Sequence, residues 1–152
     1  MSKWKWRSLL ILLWCSGKLL AQGADHFTTL TLKPTSVITL KLAQQLDYAT
    51  LSLEQQIEFM VERTVVDEFG VELIVKGAAS TGVVTHIEPC ADFTEMIVTV
   101  SPEFVQAVNG QMIELNAMEQ TLKAPAGNCF IAQGRKVTAY PARQFSIKVK
   151  KE

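Results

Sequence analysis

The chain has 152 residues, with 15 basic and 15 acidic side chains and no formal net charge. That length is one domain, and the charge balance lacks the basic footprint that non-specific nucleic-acid binding requires. No basic amphipathic helix argues for attachment to a membrane surface.

The chain opens MSKWKWRSLLILLWCSGKLLAQGADH. Lys3, Lys5 and Arg7 make a basic start, residues 8–17 a short apolar run, and Ala21 and Gly23 supply the small residues of a cleavage site. This is the pattern of an export signal spanning 1–23, cut after Ala21 or Gly23. The apolar run, interrupted by Lys18, is too short for a span of roughly 20 residues. An uncleaved N-terminal anchor is the alternative. Lipidation of Cys15 is a further one, although Trp14 stands where such sites carry a small residue. Removal of the leader takes Lys3, Lys5, Arg7 and Lys18 with it. Eleven basic residues then face 15 acidic ones, a net charge of about −4. The mature chain has no expected membrane span and keeps two cysteines, Cys90 and Cys129. In an oxidising compartment they are expected to bridge, the alternative being two buried thiols.

Residues 24–36 are a polar, Thr-rich lead-in with an edge strand over 28–32. Period-2 patterning then dominates. It predicts strands over 37–42, 57–66, 71–75, 81–88, 96–100, 105–108, 112–115, 136–140 and 145–149. Asn109-Gly110 marks a hairpin between two of them. Two segments compete for helix. Ser52-x-x-Gln55 resembles a capping box, and Ser101-Pro102-Glu103 is a good helix start. A short turn over 51–55 and a strand over 105–108 are the preferred readings. Eight or nine short strands with turns at near-regular spacing predict an all-β barrel or sandwich over 37–152. A mature chain of about 130 residues buries roughly two-thirds of its unfolded surface.

No motif nominates a reaction, a cofactor or a metal, and no catalytic residue is assigned. His86, close before Cys90, is better read as a strand-edge histidine beside a disulfide than as the base of a thiolate. Two cysteines and His86 are too few for a metal site. Asp67-Glu68-Phe69-Gly70 reads as a solvated hairpin turn, and Glu114 is the other notable acid. Lys76-Gly77 and Gly134-Arg135 lack phosphate-loop spacing. Phe104, Phe130, Tyr140 and Phe145 are candidates for a binding patch, with core packing preferred.

The succession 37–42 (VITLKL), 65–66, 71–78 (VELIVKGA), 81–84 (TGVV) and 108–115 (VNGQMIEL) resembles β-barrels of exported bacterial proteins of unassigned function. It is also similar to the barrel of TrbI-like conjugation proteins, which help build the outer channel of type IV secretion systems. Val75 stands where that pattern carries proline, and the Cys90/Cys129 pair is not part of it. The resemblance implies a barrel and an assembly role, and it supplies no catalytic residue. The expected function is therefore an exported envelope module that binds another envelope protein through strand edges and loops. The rivals are a small secreted hydrolase and a pilus- or adhesin-like subunit that uses 24–36 as a donor strand.

Overall fold

The computed structural model describes residues 26–90, 95–125 and 127–151. The expected signal peptide and Cys15 lie outside them. Contacts divide the chain into two units, 29–149 and the two termini, 1–28 with 150–152. Within the terminal unit, the Lys151 amide donates to the His26 carbonyl at 2.9 Å. All that follows on packing concerns residues 29–149.

The chain is all-β: thirteen short strands and no helix occur among the described residues. They are β1 (Phe27–Leu32), β2 (Ile38–Leu42), β3 (Leu46–Asp47), β4 (Gln56–Val61), β5 (Val65–Val66), β6 (Glu72–Ile74), β7 (Ala79–Glu88), β8 (Ile97–Gln106), β9 (Met112–Glu114), β10 (Gln120–Lys123), β11 (Phe130–Ile131), β12 (Lys136–Ala139) and β13 (Phe145–Lys150). Seven of them form one sheet in the order β10-β8-β7-β4-β2-β12, with β9 added on β8. The sheet curls into a half-barrel. Three two-stranded sheets, β1-β13, β3-β11 and β5-β6, complete the fold.

Alternation decides which face is buried. Ile38, Leu40 and Leu42 of β2, Ile57, Phe59 and Val61 of β4, and Phe145 and Ile147 of β13 all enter one core, while Lys41, Glu58 and Lys148 stay outside it. Leu30 and Leu32 of β1 join the same core, so residues 29–32 pack with the strands that follow. A buried aliphatic side chain of this size contributes about 1.5–3 kcal/mol by leaving water.

The curl comes from irregularities in the longest pair, β7 and β8. Thr81 faces Phe104 but Gly82 faces Pro102, so Glu103 is an extra residue on β8. Val84 faces Val100 but His86 faces Thr99, so Thr85 is an extra residue on β7. Such bulges bend and twist a sheet. The first also explains how one strand crosses the Ser101-Pro102 dipeptide where two separate strands were expected and a helix start competed. Proline has no amide to give a ladder and is tolerated inside a sheet at a bulge. Gly82 completes the arrangement. A Cβ there would lie 2.6 Å from the Ser101 carbonyl oxygen and 2.8 Å from the Phe59 ring.

The ends of the curled sheet bridge each other. The Thr138 amide of β12 donates to Gln120 Oε1 of β10 at 2.8 Å, and Gln120 Nε2 donates back to the Thr138 carbonyl. One side-chain amide thus acts as a missing strand residue. Further along, Leu115 and Pro141 form an antiparallel bridge. Beside it the Asn116 amide donates to the Tyr140 carbonyl at 2.7 Å and the Ala142 amide to the Glu114 carbonyl at 2.9 Å. Below Thr138, the Arg135 guanidinium donates to the Lys123 carbonyl at 2.7 Å.

Several predicted boundaries move. The 57–66 segment splits into β4 and β5, because the chain bends at 62–64 and Thr64 Oγ1 accepts the Lys76 amide at 3.0 Å. The Ser52/Gln55 pair makes its capping-type bond, Ser52 amide to Gln55 Oε1 at 3.0 Å, in a turn. There the Glu54 amide donates to the Val84 carbonyl and the Val84 amide to the Gln55 carbonyl. Sheet contacts therefore claim the groups a helix would need. The Asn109-Gly110 hairpin forms with a three-residue loop, 108–110, closed by the Ala107 amide on the Gln111 carbonyl at 2.8 Å. Gly110 has φ +87° and Asn109 does not share that region, so the loop is not the two-residue type that Asn-Gly favours.

Two substitutions test this account. Gly82→Ala should destabilise by about 1–3 kcal/mol, the usual cost of overpacking, as a lower urea midpoint at an unchanged slope. Gln120→Leu should cost about 1–2 kcal/mol through the two unmade bonds to Thr138. It should also speed amide exchange at Thr138 while leaving the amides of β4 as protected as before.

Candidate functional site

The stretch Val65–Glu72 forms a short hairpin whose tip is built by one carboxylate. The Asp67 amide and the Val71 carbonyl close the loop at 2.9 Å, and the Gly70 amide donates to the Asp67 carbonyl at 3.1 Å. Asp67 Oδ1 accepts from the Phe69 amide at 3.0 Å and the Val71 amide at 2.8 Å. Aspartate is suited to this because its short side chain reaches backbone amides two residues on. The expected turn is therefore present, and its acid is structural as well as solvated. The turn holds Phe69 out at 80% exposure, the highest of any large hydrophobic side chain among the described residues, with Val66 at 49% and Val71 at 39% beside it. Sequence reasoning read the charges of this turn and passed over Phe69. The available signal was an aromatic residue at the centre of a turn, where core packing cannot reach it.

A shallow hollow of about 170 Å³ lies next to the tip. Thr29, Leu30, Thr31 and Lys33 form one wall, and Asp67, Glu68 and Phe69 the other. A second hollow of about 170 Å³ lies over residues 101–104, with Glu114, Leu115 and Ala117. Beside it the Arg143 guanidinium donates to Glu114 Oε2 at 2.9 Å and stands 4.5 Å from the Phe145 ring centre. Both partners of that ion pair are more than half exposed, which limits its worth to about 0–1 kcal/mol.

The other residues singled out in sequence are dispersed. Cys90 and Cys129 are joined in a disulfide with Cα atoms 5.6 Å apart. The bond ties the segment after β7 to the small β3-β11 sheet, where the Cys129 carbonyl accepts the Tyr48 amide at 3.0 Å. A bonded Cys90 offers no thiolate to His86, whose Nε2 instead lies 3.8 Å from Glu88 Oε1 on the exposed face of β7. His86 faces Thr99 of β8, whereas Glu114 faces Phe104. Five residues of strand, roughly 17 Å, separate those two places. Gly77 and Gly134 occupy turns with positive φ. Among the four aromatic candidates, Phe145 is buried, Phe130 and Tyr140 are half-buried, and Phe104 is exposed at 40%. Phe130 lies in the separate β3-β11 sheet and Phe145 is buried, so the four are not exposed together. Among the described residues no three His, Cys, Asp or Glu side chains group so as to hold a metal ion, and no helix is long and apolar enough to cross a membrane.

No family model matches the chain, and no curated protein matches it in sequence.

The disulfide closes a sequence separation of 39 residues. Reduction, or the Cys90→Ala/Cys129→Ala variant, should lower stability by about 4 kcal/mol on the chain-entropy account. Urea unfolding with and without reductant measures it. A shift below about 1 kcal/mol would show that the loop is already constrained in the unfolded chain.

Proposed function

We propose that this chain is an exported β-domain of a bacterial envelope that serves as a binding or assembly module. The observation that carries the reading is Phe69, held out in solvent by an ordered turn. A phenylalanine left in water forgoes about 1.5–3 kcal/mol of burial. Here the surrounding turn is organised by Asp67, so little order has to be gained on docking. Pre-ordered apolar side chains are what binding surfaces use, because immobilising a loose loop would consume much of the gain. Tryptophan, tyrosine and other large anchors carry most interface energy for the same reason.

Two further facts support the reading. The N-terminal sequence has the pattern of an export signal, and a disulfide suits an oxidising compartment. The likeness of the strand order to TrbI-like barrels is a third support, drawn from sequence. The ends of the curled sheet are engaged with each other, so contacts with a partner fall to the hairpin tip and to the small two-stranded sheets.

The test is capture from cells. The tagged chain is cross-linked in living cells, recovered from the envelope fraction, and its companions are identified by mass spectrometry. One or two proteins in stoichiometric amount are expected with the wild type. Recovery of the chain alone, soluble and monomeric, would overturn the reading.

A further inference from the structure

The hollow beside the hairpin tip has a second property, which concerns the strand that forms its other wall. Among the described residues, β1 has β13 as its only strand neighbour. The turn and loop hydrogen bonds of the described residues do not engage Thr29–Leu32. Among the described residues no strand lies along the other edge of β1, and Thr29, Leu30 and Thr31 of β1 line the hollow. An edge of this kind is a template for another strand. The opposite wall is Phe69 with Asp67 and Glu68, and Leu30, 8% exposed, is the apolar residue on the β1 side.

From this we infer that the β1 edge and the β5–β6 turn together form a groove for an extended segment of a protein partner. That segment pairs with Thr29–Leu32 as an added strand. One of its apolar side chains enters the hollow against Phe69, and a lysine or arginine two residues away meets Glu68. The inference rests on the binding-module reading and names the place and the kind of ligand.

Three features choose this occupant. The backbone edge calls for an extended chain, since only a strand satisfies alternate amides and carbonyls. The hollow, about 170 Å³ and open to solvent, has room for one side chain, and Leu30 and Phe69 are the apolar residues on its two sides. The charge is one-sided: Val65–Glu72 carries Asp67, Glu68 and Glu72 and no cation, against the single Lys33 across the hollow. Side chains of an added strand alternate between faces, so residues two apart share one, and an apolar residue with a basic one two positions on meets both demands together. Phe69 and Glu68 lie in an exposed turn whose bonds are made by Asp67 and the backbone, so changing either leaves the core untouched.

The experiment uses the full chain, isotopically labelled, and a panel of eight-residue peptides that carry valine or phenylalanine and lysine two residues apart, with threonine between them. Controls carry glutamate in place of lysine, or are N-methylated at alternate residues to remove the ladder. Binding is read by amide shifts and by amide exchange. The lysine peptides are expected to slow exchange within Thr29–Leu32 and to shift Phe69. Phe69→Ala and Glu68→Lys should each weaken binding, the first by at least about tenfold. The N-methylated and glutamate peptides should bind at least about tenfold more weakly than the lysine peptides. Absence of binding by the whole panel overturns the groove. So does binding that survives Phe69→Ala or N-methylation. Self-association of the chain through β1 that blocks the peptides would overturn it too, by making a second copy the occupant. Failure here while a cellular partner is still captured removes the groove and leaves the binding module standing. Loss of every cellular partner removes the module itself.

Discussion

The fold depends on what becomes of the outer backbone of β10 and β12. A curled sheet of this size has two terminal strands, and their unpaired amides and carbonyls need partners wherever water is excluded. The chain meets the demand with mixed means. Gln120 supplies both a donor and an acceptor to Thr138, Arg135 reaches the Lys123 carbonyl, and the segment after β9 pairs with the segment after β12 around Leu115 and Pro141. A continuous ladder would need β10 and β12 to run side by side in register. A side-chain amide bridges them where they do not.

The closure works only because the sheet is bent first. Its curvature is concentrated in β7 and β8, where Glu103 and Thr85 are the extra residues. Pro102 cannot donate to a ladder, and Gly82 has no Cβ to collide with the Ser101 carbonyl or the Phe59 ring. The pair is one device: the proline marks where pairing must be interrupted, and the glycine lets the strands stay close while it is. Ser80, buried beside them, satisfies its hydroxyl on the Phe104 carbonyl at 2.6 Å. Among the described residues the elements outside that path are β1 with β13, β3 with β11, and the β5–β6 hairpin, whose tip exposes Phe69.

Much of the architecture was legible. The alternation of Phe145, Ile147 and Val149 against Ser146 and Lys148 became β13, with Phe145 and Ile147 buried. That of Ile38, Leu40 and Leu42 became β2. Pattern failed where it carries no information. Alternation does not mark a bend, so Ile57–Val66 read as one strand although the chain turns at 62–64. Strands of two residues, Leu46–Asp47 and Phe130–Ile131, are too short to show a period, and Gln120–Lys123 escaped notice at four. The proline at 102 read as an interruption because the bulge that accommodates it involves Gly82, twenty residues earlier. The candidate site was half legible: the turn at Asp67–Gly70 followed from its residue types, but its opposite wall, β1, is more than thirty residues away.

Sequence alone determined the all-β class, the hairpin turns and which side chains enter the core. These follow from local rules: side chains alternate along a strand, and turns demand particular residues. The Cys90–Cys129 bridge was expected from sequence, with two buried thiols as the alternative, and the structure shows the bond. Tertiary structure decided the rest. It set the strand order, gave Gln120 its role as a stand-in for backbone, turned the Ser52/Gln55 signal into a turn, and brought Thr29–Thr31 opposite Phe69. Each of these depends on a partner distant in sequence. Local propensity is worth tenths of a kcal/mol per residue and yields wherever sheet hydrogen bonds and burial compete for the same groups.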